Sequence, residues 1–423
     1  MKETRKYKQT ELGLLPEDWE VVKLGEKVSN PCYGIGAEAI SFNGVDKYLR
    51  ITDISDEGHF APNPLCSPAF FNEIHIAKEN DLFVARTGAS VGKTYLYNSK
   101  DGRLIFAGFL VKLNITDANS KFVFYYTQTS QYKNWVVSES MRSGQPGLNL
   151  KQTMNLSMPL PPIEEQRRIA SALTSIDNLI DSLDRLIAKK RDIKQGAMQQ
   201  LLSGKKRLKG FTEPWVEKKL GDIGYFLKGS GISKSQANSG TLCAVRYGEL
   251  YTLHHNYIKT YNSHISKEVA LFATKIQKGD ILFACSGETK EEIGKCAALV
   301  DEVEAYAGGD ILILRTDQEQ CSDIFLGFLL NMPIAANQKA AKGQGDAVVH
   351  ISKEALSNIN CLFPSKEEQQ AIASVLTSMD NELSALEAKR KKYEQIKQGM
   401  MQQLLTGRIR LENTSTLLSA NTL

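Results

Sequence analysis

The sequence predicts an α+β chain in which two mixed α/β domains alternate with two long helices that form an antiparallel coiled coil. Residues 161–208 and 364–411 align without a gap at a constant offset of 203, with 26 identities in 48 positions. Each block carries apolar residues at alternating steps of four and three, and each follows a segment of short β-type runs. A repeat of this length means two copies of a whole module, so we expect a pseudo-two-fold internal repeat.

The repeated blocks are predicted to be helices that pair through a heptad seam. Alternating steps of four and three place apolar residues at the a and d positions. About forty helical residues would span roughly 60 Å. Because one chain holds two seams, we expect helices near 164–203 and 367–406 to pair with each other; the alternative is that both are core helices of two ordinary domains. The predicted seam consists of Ile169, Leu173, Ile176, Ile180, Leu183, Ile187, Ile372, Leu376, Met379, Leu383, Leu386 and Tyr393, and its phase continues to Met400 and Leu404.

Residue types at the ends of both blocks fit helix boundaries. Prolines at 161, 162 and 364 precede the two starts. Ser365 with Glu368 matches a capping box. Gly204 and Gly407 stand where each helix is expected to end, since glycine is favoured just past a helix C-terminus.

Two features are expected to disturb the helix pair. Gly196 and Gly399 interrupt the helices late, where glycine costs about 1 kcal/mol relative to alanine, so close helix approach is the expected reason. Four cations also fall on the seam and are expected to weaken pairing toward that end: Lys190, Lys194, Arg390 and Lys397.

The segments between the repeats are related but diverged. The run WEVVKLG at 19–25 corresponds to WVEKKLG at 215–221. β-Type runs follow in both copies, at 82–85, 109–113, 281–284 and 311–314. We therefore predict a domain at 1–160, a helix at 161–208, a second domain at 209–363, a second helix at 364–411 and a loose tail at 412–423.

Composition excludes several classes of protein without indicating a partner. No run of eighteen apolar residues and no signal-like start occurs, which favours a soluble intracellular protein. The seven cysteines include no CxxC pair, so neither a zinc ribbon nor a disulfide framework is expected. The net charge of +4 is too small to suggest nucleic acid by itself.

Catalytic motifs fail on inspection of their spacing. The run TGASVGKT at 87–94 resembles a phosphate-binding loop, but its first glycine stands one residue too close to the second. Asp280 with Glu288 and Lys290 loosely resembles a nuclease cluster, although the first domain has nothing similar and a solvated loop is favoured. No histidine pair has metal-ligand spacing on a helix. We expect no catalytic residue, metal or cofactor in this chain.

Several motifs resemble those of specificity subunits of type I restriction–modification systems. They are MPLPPIEEQRRI at 158–169, LFPSKEEQQAI at 362–372, the endings KQGAMQQLL and KQGMMQQLL, and the opening LPEDW at 15–19. The resemblance covers nearly the whole chain, with a serine in place of a second proline at 365. It implies a non-catalytic subunit of the prokaryotic cytoplasm, in which each variable domain is a target-recognition domain for one half of a split DNA site. It also implies that the helices act as a spacer and dock two methyltransferase subunits that bind S-adenosylmethionine, and that translocase–nuclease subunits join them.

Candidate DNA contacts are polar residues in the glycine-rich turns and at nearby strand ends, where side chains can reach base edges or phosphates. For each of them a plain surface or turn role is the alternative, and for Arg50 and Arg246 a core ion pair. The candidates are Arg50, Arg86, Ser90, Lys93, Gln145 and Asn149 in the first domain, and Arg246, Tyr247, Ser286, Lys290, Lys295, Gln344 and His350 in the second.

Two rival functions remain open at this point. One is a scaffold that assembles partners through its coiled coil and does not bind DNA. The other is a self-sufficient enzyme, against which the missing catalytic motifs argue.

Overall fold

The computed structural model describes residues 6–141, 146–345 and 348–411. The chain forms two compact units, Met1–Asp184 with Ala388–Leu423, and Arg185–Glu387. The division passes through both long helices, so each unit holds one mixed domain, the first half of one long helix and the second half of the other. The predicted tail at 412–423 lies outside the described residues.

The first unit combines short strands with short helices. Its strands are β1 (Tyr7–Thr10), β2 (Gly13–Pro16), β3 (Glu20–Lys23), β4 (Val28–Tyr33), β5 (Ala39–Ser41), β6 (Lys47–Leu49), β7 (Cys66–Pro68), β8 (Asp81–Ala85), β9 (Thr94–Leu96), β10 (Leu104–Phe106), β11 (Leu110–Ile115) and β12 (Ser157–Leu160). Its helices are α1 (Ser120–Tyr126), α2 (Ser130–Ser140), α3 (Leu150–Met154) and the start of α4 (Ile163–Leu201).

An antiparallel sheet of order β4-β11-β8-β9 forms the centre of this unit. Leu82 and Val84 of β8 belong to a core cluster that also holds α1 and both long helices. Phe83 and Ala85, on the opposite face, belong to a second cluster. Because both faces of β8 are covered, its sequence is an unbroken apolar run rather than an alternating one.

The second unit also combines short strands and short helices around a central sheet, and it has a second sheet of four strands. Its strands are β13 (Val216–Lys219), β14 (Gly224–Lys228), β15 (Leu242–Val245), β16 (Asn256–Tyr257), β17 (Ser263–Ile265), β18 (Thr274–Ile276), β19 (Asp280–Ala284), β20 (Ser286–Gly287), β21 (Cys296–Ala298), β22 (Ala305–Ala307), β23 (Ile311–Thr316), β24 (Val349–His350) and β25 (Asn360–Phe363). Its helices, besides the end of α4, are α5 (Tyr247–Thr252), α6 (Lys267–Ala270), α7 (Asp323–Leu329), α8 (Pro333–Lys342), α9 (Lys353–Ser357) and the start of α10 (Lys366–Leu404).

Its central sheet has the order β14-β23-β19-β21-β16, and a second sheet has the order β17-β15-β22-β18. Strand β19 repeats the two-sided burial of β8. Ile281 and Phe283 belong to the cluster that contains the long helices, whereas Leu282 and Ala284 belong to the other. The four β-type runs predicted from the sequence are thus all strands, and they are the central ones.

The two long helices pair in antiparallel fashion, as predicted. In the first unit Asp177 of α4 pairs with Lys397 of α10 at 2.6 Å, and Asp184 pairs with Arg390. In the second unit Lys190 pairs with Glu382 at 2.6 Å, and Lys194 pairs with Asp380. Residue numbers rise along one helix as they fall along the other.

Seven of the twelve predicted seam residues are buried, and the other five are half-buried. The fully buried members are Ile169, Leu173, Leu183, Ile187, Ile372, Leu376 and Leu383. The half-buried members are Ile176, Ile180, Met379, Leu386 and Tyr393. The alternative of core helices is also partly right, because Ile169 and Leu173 join the core of the first domain, and Ile372 and Leu376 that of the second.

Two expectations about the seam do not hold. The four seam cations each have a carboxylate partner on the opposite helix, so they take part in pairing instead of weakening it. A Cβ built on Gly196 or Gly399 meets nothing within 4 Å, so close helix approach does not explain these glycines. The helix-ending role of Gly204 and Gly407 is confirmed by their positive φ of 70° and 68°.

A buried carboxylate fixes the start of α4 in the first unit. Glu165 is 2% exposed, and its oxygens accept from Trp19 Nε1 at 3.1 Å and from the Arg410 guanidinium at 2.6 and 2.5 Å. Arg410 also binds Asp18. Since Arg410 follows the end of α10, the cluster joins the start of one long helix to the end of the other.

The second unit repeats this cluster at the start of α10. Glu368 accepts from Trp215 Nε1 at 3.2 Å and from Arg207 at 2.6 Å through two bonds. Ser365 Oγ accepts the Glu368 N–H at 3.4 Å, so the serine half of the predicted capping box is present. The Glu368 carboxylate serves the arginine cluster instead of closing the box.

Candidate nucleic-acid interface

Three distant segments of the first domain meet at one end of its central sheet. Arg86 directly follows β8; its N–H donates to the Phe109 carbonyl at 3.0 Å, and its carbonyl accepts the Leu148 N–H at 2.8 Å. Tyr33, the last residue of β4, lies opposite Val111 of β11. We call Tyr33, Arg86 and Phe109 the strand-end surface of the first domain.

The side chains of this surface combine a cation with exposed aromatic rings. The Arg86 guanidinium carbon lies 4.8 Å from the centre of the Tyr33 ring, a cation–π distance. Its Nε is buried and has no hydrogen-bond partner among the described residues. Phe109 is 57% exposed. The guanidinium is thus oriented by the Tyr33 ring at the exposed end of the sheet.

The second domain has the same backbone arrangement at the same end of its sheet. Cys285 follows β19; its N–H donates to the Asp310 carbonyl at 3.0 Å, and its carbonyl accepts the Ile351 N–H at 3.1 Å. Lys228, the last residue of β14, lies opposite Leu312 of β23. Lys228, Cys285 and Asp310 therefore occupy the positions that Tyr33, Arg86 and Phe109 occupy in the first domain, and we call them its strand-end surface.

Charged groups replace the aromatic rings on this second surface. Burial raises the pKa of the Cys285 thiol, the nearby Asp310 carboxylate raises it further, and the Lys228 ammonium opposes both effects. Both charged side chains thus lie near Cys285, and both residues are exposed. Asp310 has a φ of 60°, a left-handed conformation that aspartate adopts more readily than most residues.

Three predicted residues of the second domain meet beside this surface. Ser286 Oγ lies 2.9 Å from Nδ1 of His350, and the two residues pair across β20 and β24. Gln344 exchanges backbone hydrogen bonds with His350 at 2.9 and 2.7 Å. His350 and Gln344 are exposed, so both side chains are available to a ligand.

Of the other predicted residues of the second domain, Lys295 contacts Tyr251, and the remaining three are not part of the strand-end surface. Lys295 Nζ donates to the Tyr251 carbonyl at 2.8 Å, and the Tyr251 hydroxyl donates to the Ser286 carbonyl at 3.0 Å. Tyr247 and Lys290 are exposed. Arg246 precedes α5, where its backbone N–H donates to the Glu249 carboxylate at 2.9 Å.

Two predicted cations of the first domain are occupied by ion pairs. Arg50 donates to both oxygens of the buried Asp53 carboxylate, at 2.9 and 2.8 Å. This is the alternative role considered for it. Lys93 Nζ lies 2.8 Å from an Asp56 oxygen. Neither side chain belongs to the strand-end surface.

Local structure accounts for two more candidates. Asn149 is the N-cap of α3, where its Oδ1 accepts the Gln152 N–H at 2.8 Å. Ser90 ends a 3-10 turn, and its carbonyl accepts the Lys93 N–H at 3.0 Å. No helix follows this turn, because β9 begins at Thr94, so the phosphate-loop geometry is absent here. Gln145 lies outside the described residues.

Sequence reasoning missed Tyr33, Phe109, Lys228 and Asp310. Tyr33 and Lys228 end β4 and β14, whereas Phe109 and Asp310 precede β11 and β23, and the sequences of β4 and β14 share too little to reveal the match. The signal lay in the glycine that follows each strand, Gly34 and Gly229, since a Cβ on either would lie about 2 Å from a backbone carbonyl.

No group of three or more His, Cys, Asp or Glu side chains among the described residues is placed to hold a metal ion. No helix in that part of the chain is both long and apolar enough to cross a membrane.

Known proteins share this architecture. Residues 16–189 and 212–398 match the family described as type I restriction modification DNA specificity domain. The type I restriction enzyme MjaVIII specificity subunit of Methanocaldococcus jannaschii is 26% identical over 431 residues, covering 94% of this chain and 95% of the relative. The putative type I restriction enzyme MjaX specificity subunit of the same organism is 25% identical over 453 residues, covering 96% and 97%.

A solved structure supports the fold independently. The crystal structure of the type I restriction-modification system S subunit from M. genitalium matches with a TM-score of 0.59 at 16% identity, covering 92% of this chain and 96% of that one. Two matched domains, two relatives along the full length and a shared fold lead to one conclusion. The chain belongs to the type I restriction–modification DNA specificity family, as a DNA-recognition subunit and not an enzyme.

Proposed function

We propose that each domain of this chain reads one half of a split, asymmetric DNA site. The observation that carries the proposal is the contrast between the two strand-end surfaces. The backbone positions match, but the side chains are tyrosine, arginine and phenylalanine in one domain and lysine, cysteine and aspartate in the other. One scaffold with two unlike surfaces suits recognition of two unlike half-sites, because base identity is read by side-chain donors and acceptors.

A binding experiment separates this function from that of a scaffold that does not bind DNA. The full chain, with its methyltransferase partner, is used to select duplexes from a library with randomised positions. We expect enrichment of two short defined blocks separated by an undefined spacer, and affinity that falls as salt rises. Absence of any sequence preference would favour the scaffold.

The long helices are proposed to dock two copies of one methyltransferase subunit. Most exposed positions on a helix tolerate change, yet several exposed positions are identical in both copies of the repeat. They are Glu164, Ser171, Ser175, Asn178, Lys189, Ile193, Gln195 and Gln199, with their counterparts at 367, 374, 378, 381, 392, 396, 398 and 402. Identity at exposed positions in an otherwise diverged chain is what two copies of the same partner require.

The remaining parts of the complex are proposed from the family alone. The methyltransferase subunits would carry S-adenosylmethionine, and translocase–nuclease subunits would complete the restricting form. Both assignments rest on membership of the family. The proposed place of action is the cytoplasm of a prokaryote, where the cellular DNA is found.

Ile193 and Ile396 give the docking proposal a direct test. They are repeat-related and 46% and 38% exposed, so the two helices present the same apolar side chain to solvent at equivalent positions. Replacing either by Asp should lose one of two bound methyltransferase copies, and the double replacement should lose both, as measured by native mass spectrometry. Ile334→Asp is the matched control, because Ile334 is 64% exposed but lies outside the repeat. Unchanged stoichiometry in the double variant would contradict docking at this face.

A further inference from the structure

The two strand-end surfaces differ most at the two positions that bracket the central strands. The residue after the first central strand is Arg86 in one domain and Cys285 in the other. The residue just before the neighbouring strand is Phe109 in one domain and Asp310 in the other. Each pair is joined by a backbone hydrogen bond of 3.0 Å, from Arg86 N to Phe109 O and from Cys285 N to Asp310 O. The side chains at these two positions differ between the domains, whereas the backbone hydrogen bond between them is the same.

Resting on the proposed function, we propose that Arg86 and Asp310 are specificity-determining residues, Arg86 selecting a guanine in one half-site and Asp310 a cytosine in the other. An arginine can donate two hydrogen bonds to O6 and N7 of guanine in the major groove. A carboxylate accepts from the N4 amino group of cytosine.

The surroundings of Arg86 suit this role. Its guanidinium packs over Tyr33, and Tyr33 is itself held by a 3.0 Å hydrogen bond from the Leu150 N–H to its hydroxyl. The buried Nε finds no acceptor among the described residues. A cation held against a ring in this way is preorganised and loses little conformational entropy when its planar fork binds a base. By contrast, Arg103 lies over Phe71 at 5.3 Å but is paired with Asp46 at 3.2 Å.

The surroundings of Asp310 suit a single acceptor. The residue is exposed and its left-handed backbone turns at the strand end. Lys228, exposed on the adjacent strand, can contact the phosphate backbone beside the base that is read. Gly is the natural test substitution at 310, because it adopts the left-handed conformation and has no side-chain acceptor.

The test measures base preference at each position of the site. The full chain and its Arg86→Ala, Arg86→Lys and Asp310→Gly variants, each with the methyltransferase partner, are titrated with duplexes changed one base pair at a time. Arg86→Ala and Arg86→Lys should reduce preference for one guanine by about tenfold or more and leave the other half-site unchanged. Asp310→Gly should do the same for one cytosine of the other half-site. The controls are Arg103→Ala and Asp301→Gly; Asp301 is an exposed carboxylate outside both strand-end surfaces.

Other outcomes have distinct meanings. If the wild-type complex has no sequence preference, the proposed function itself fails. If the wild type is specific and Arg86→Ala weakens binding equally on every duplex, Arg86 contacts phosphate and the inference is overturned. Unchanged preference in the Arg86 and Asp310 variants, with thermal stability retained, would also overturn it.

Discussion

Replacing Leu376 by Asp should lower the free energy of unfolding of the second unit by at least about 4 kcal/mol. Leu376 is fully buried and packs with Ile372 in the core that joins α10 to the second domain. The substitution removes a large apolar side chain and places a carboxylate in a buried apolar core. Hydrogen exchange across 366–387 and the denaturant midpoint both measure the effect.

The first unit offers the same experiment at Leu173, which is equally buried in the core of the first domain. Ser374→Asp and Ser171→Asp are matched controls, because they add the same charge at exposed positions two residues away. We expect the controls to stay within about 0.5 kcal/mol of the wild type. Wild-type stability in both leucine variants would contradict burial of the seam.

Arg410→Ala should destabilise the first unit by about 2–3 kcal/mol. Removal of one partner leaves the Glu165 carboxylate buried with only the Trp19 N–H, and an uncompensated buried charge is costly. The expected cost lies below that of a fully buried pair because Arg410 is partly exposed. Chemical denaturation near neutral pH measures it, with the exposed Arg408→Ala as the control.

The same substitution should change how stability depends on pH. The hydrogen bond from Arg410 lowers the pKa of the Asp18 carboxyl. A depressed pKa contributes stability above the unfolded value of about 3.9, and that contribution is lost as the pH falls through the folded value. The stability difference between the wild type and Arg410→Ala should therefore shrink below about pH 4. A difference that stays constant down to pH 2 would contradict this coupling.

The helices could be predicted from the sequence because their signal is periodic and repeated. Ile169, Leu173, Ile372 and Leu376 fall on one stripe in each copy, and the gapless repeat fixes the equivalence of the two stripes. The cross-helix ion pairs could not be predicted, because they depend on the register between two segments about 200 residues apart. The sequence alone therefore presents Lys194 as a charge on an apolar seam, whereas the fold pairs it with Asp380.

The strand-end surfaces show the opposite case. Arg86 was predicted because a glycine turn marks its place in the sequence. Tyr33 and Asp310 were not predicted. Only the register of β4 against β11 and of β14 against β23 shows that these residues lie at the ends of the central strands, near other candidates. Arg50 and Lys93 were plausible by residue type, but their carboxylate partners Asp53 and Asp56 become evident only in the folded domain.

Exchange of the first domain tests most directly whether each domain reads one half-site. Residues about 15–160 are replaced by the corresponding domain of a related specificity subunit, with the long helices unchanged, and methylated bases are mapped in cells that carry the whole system. The account predicts that one half-site changes to that of the donor while the other half-site stays the same. A change of bases in both half-sites would contradict the assignment of one domain to each half-site.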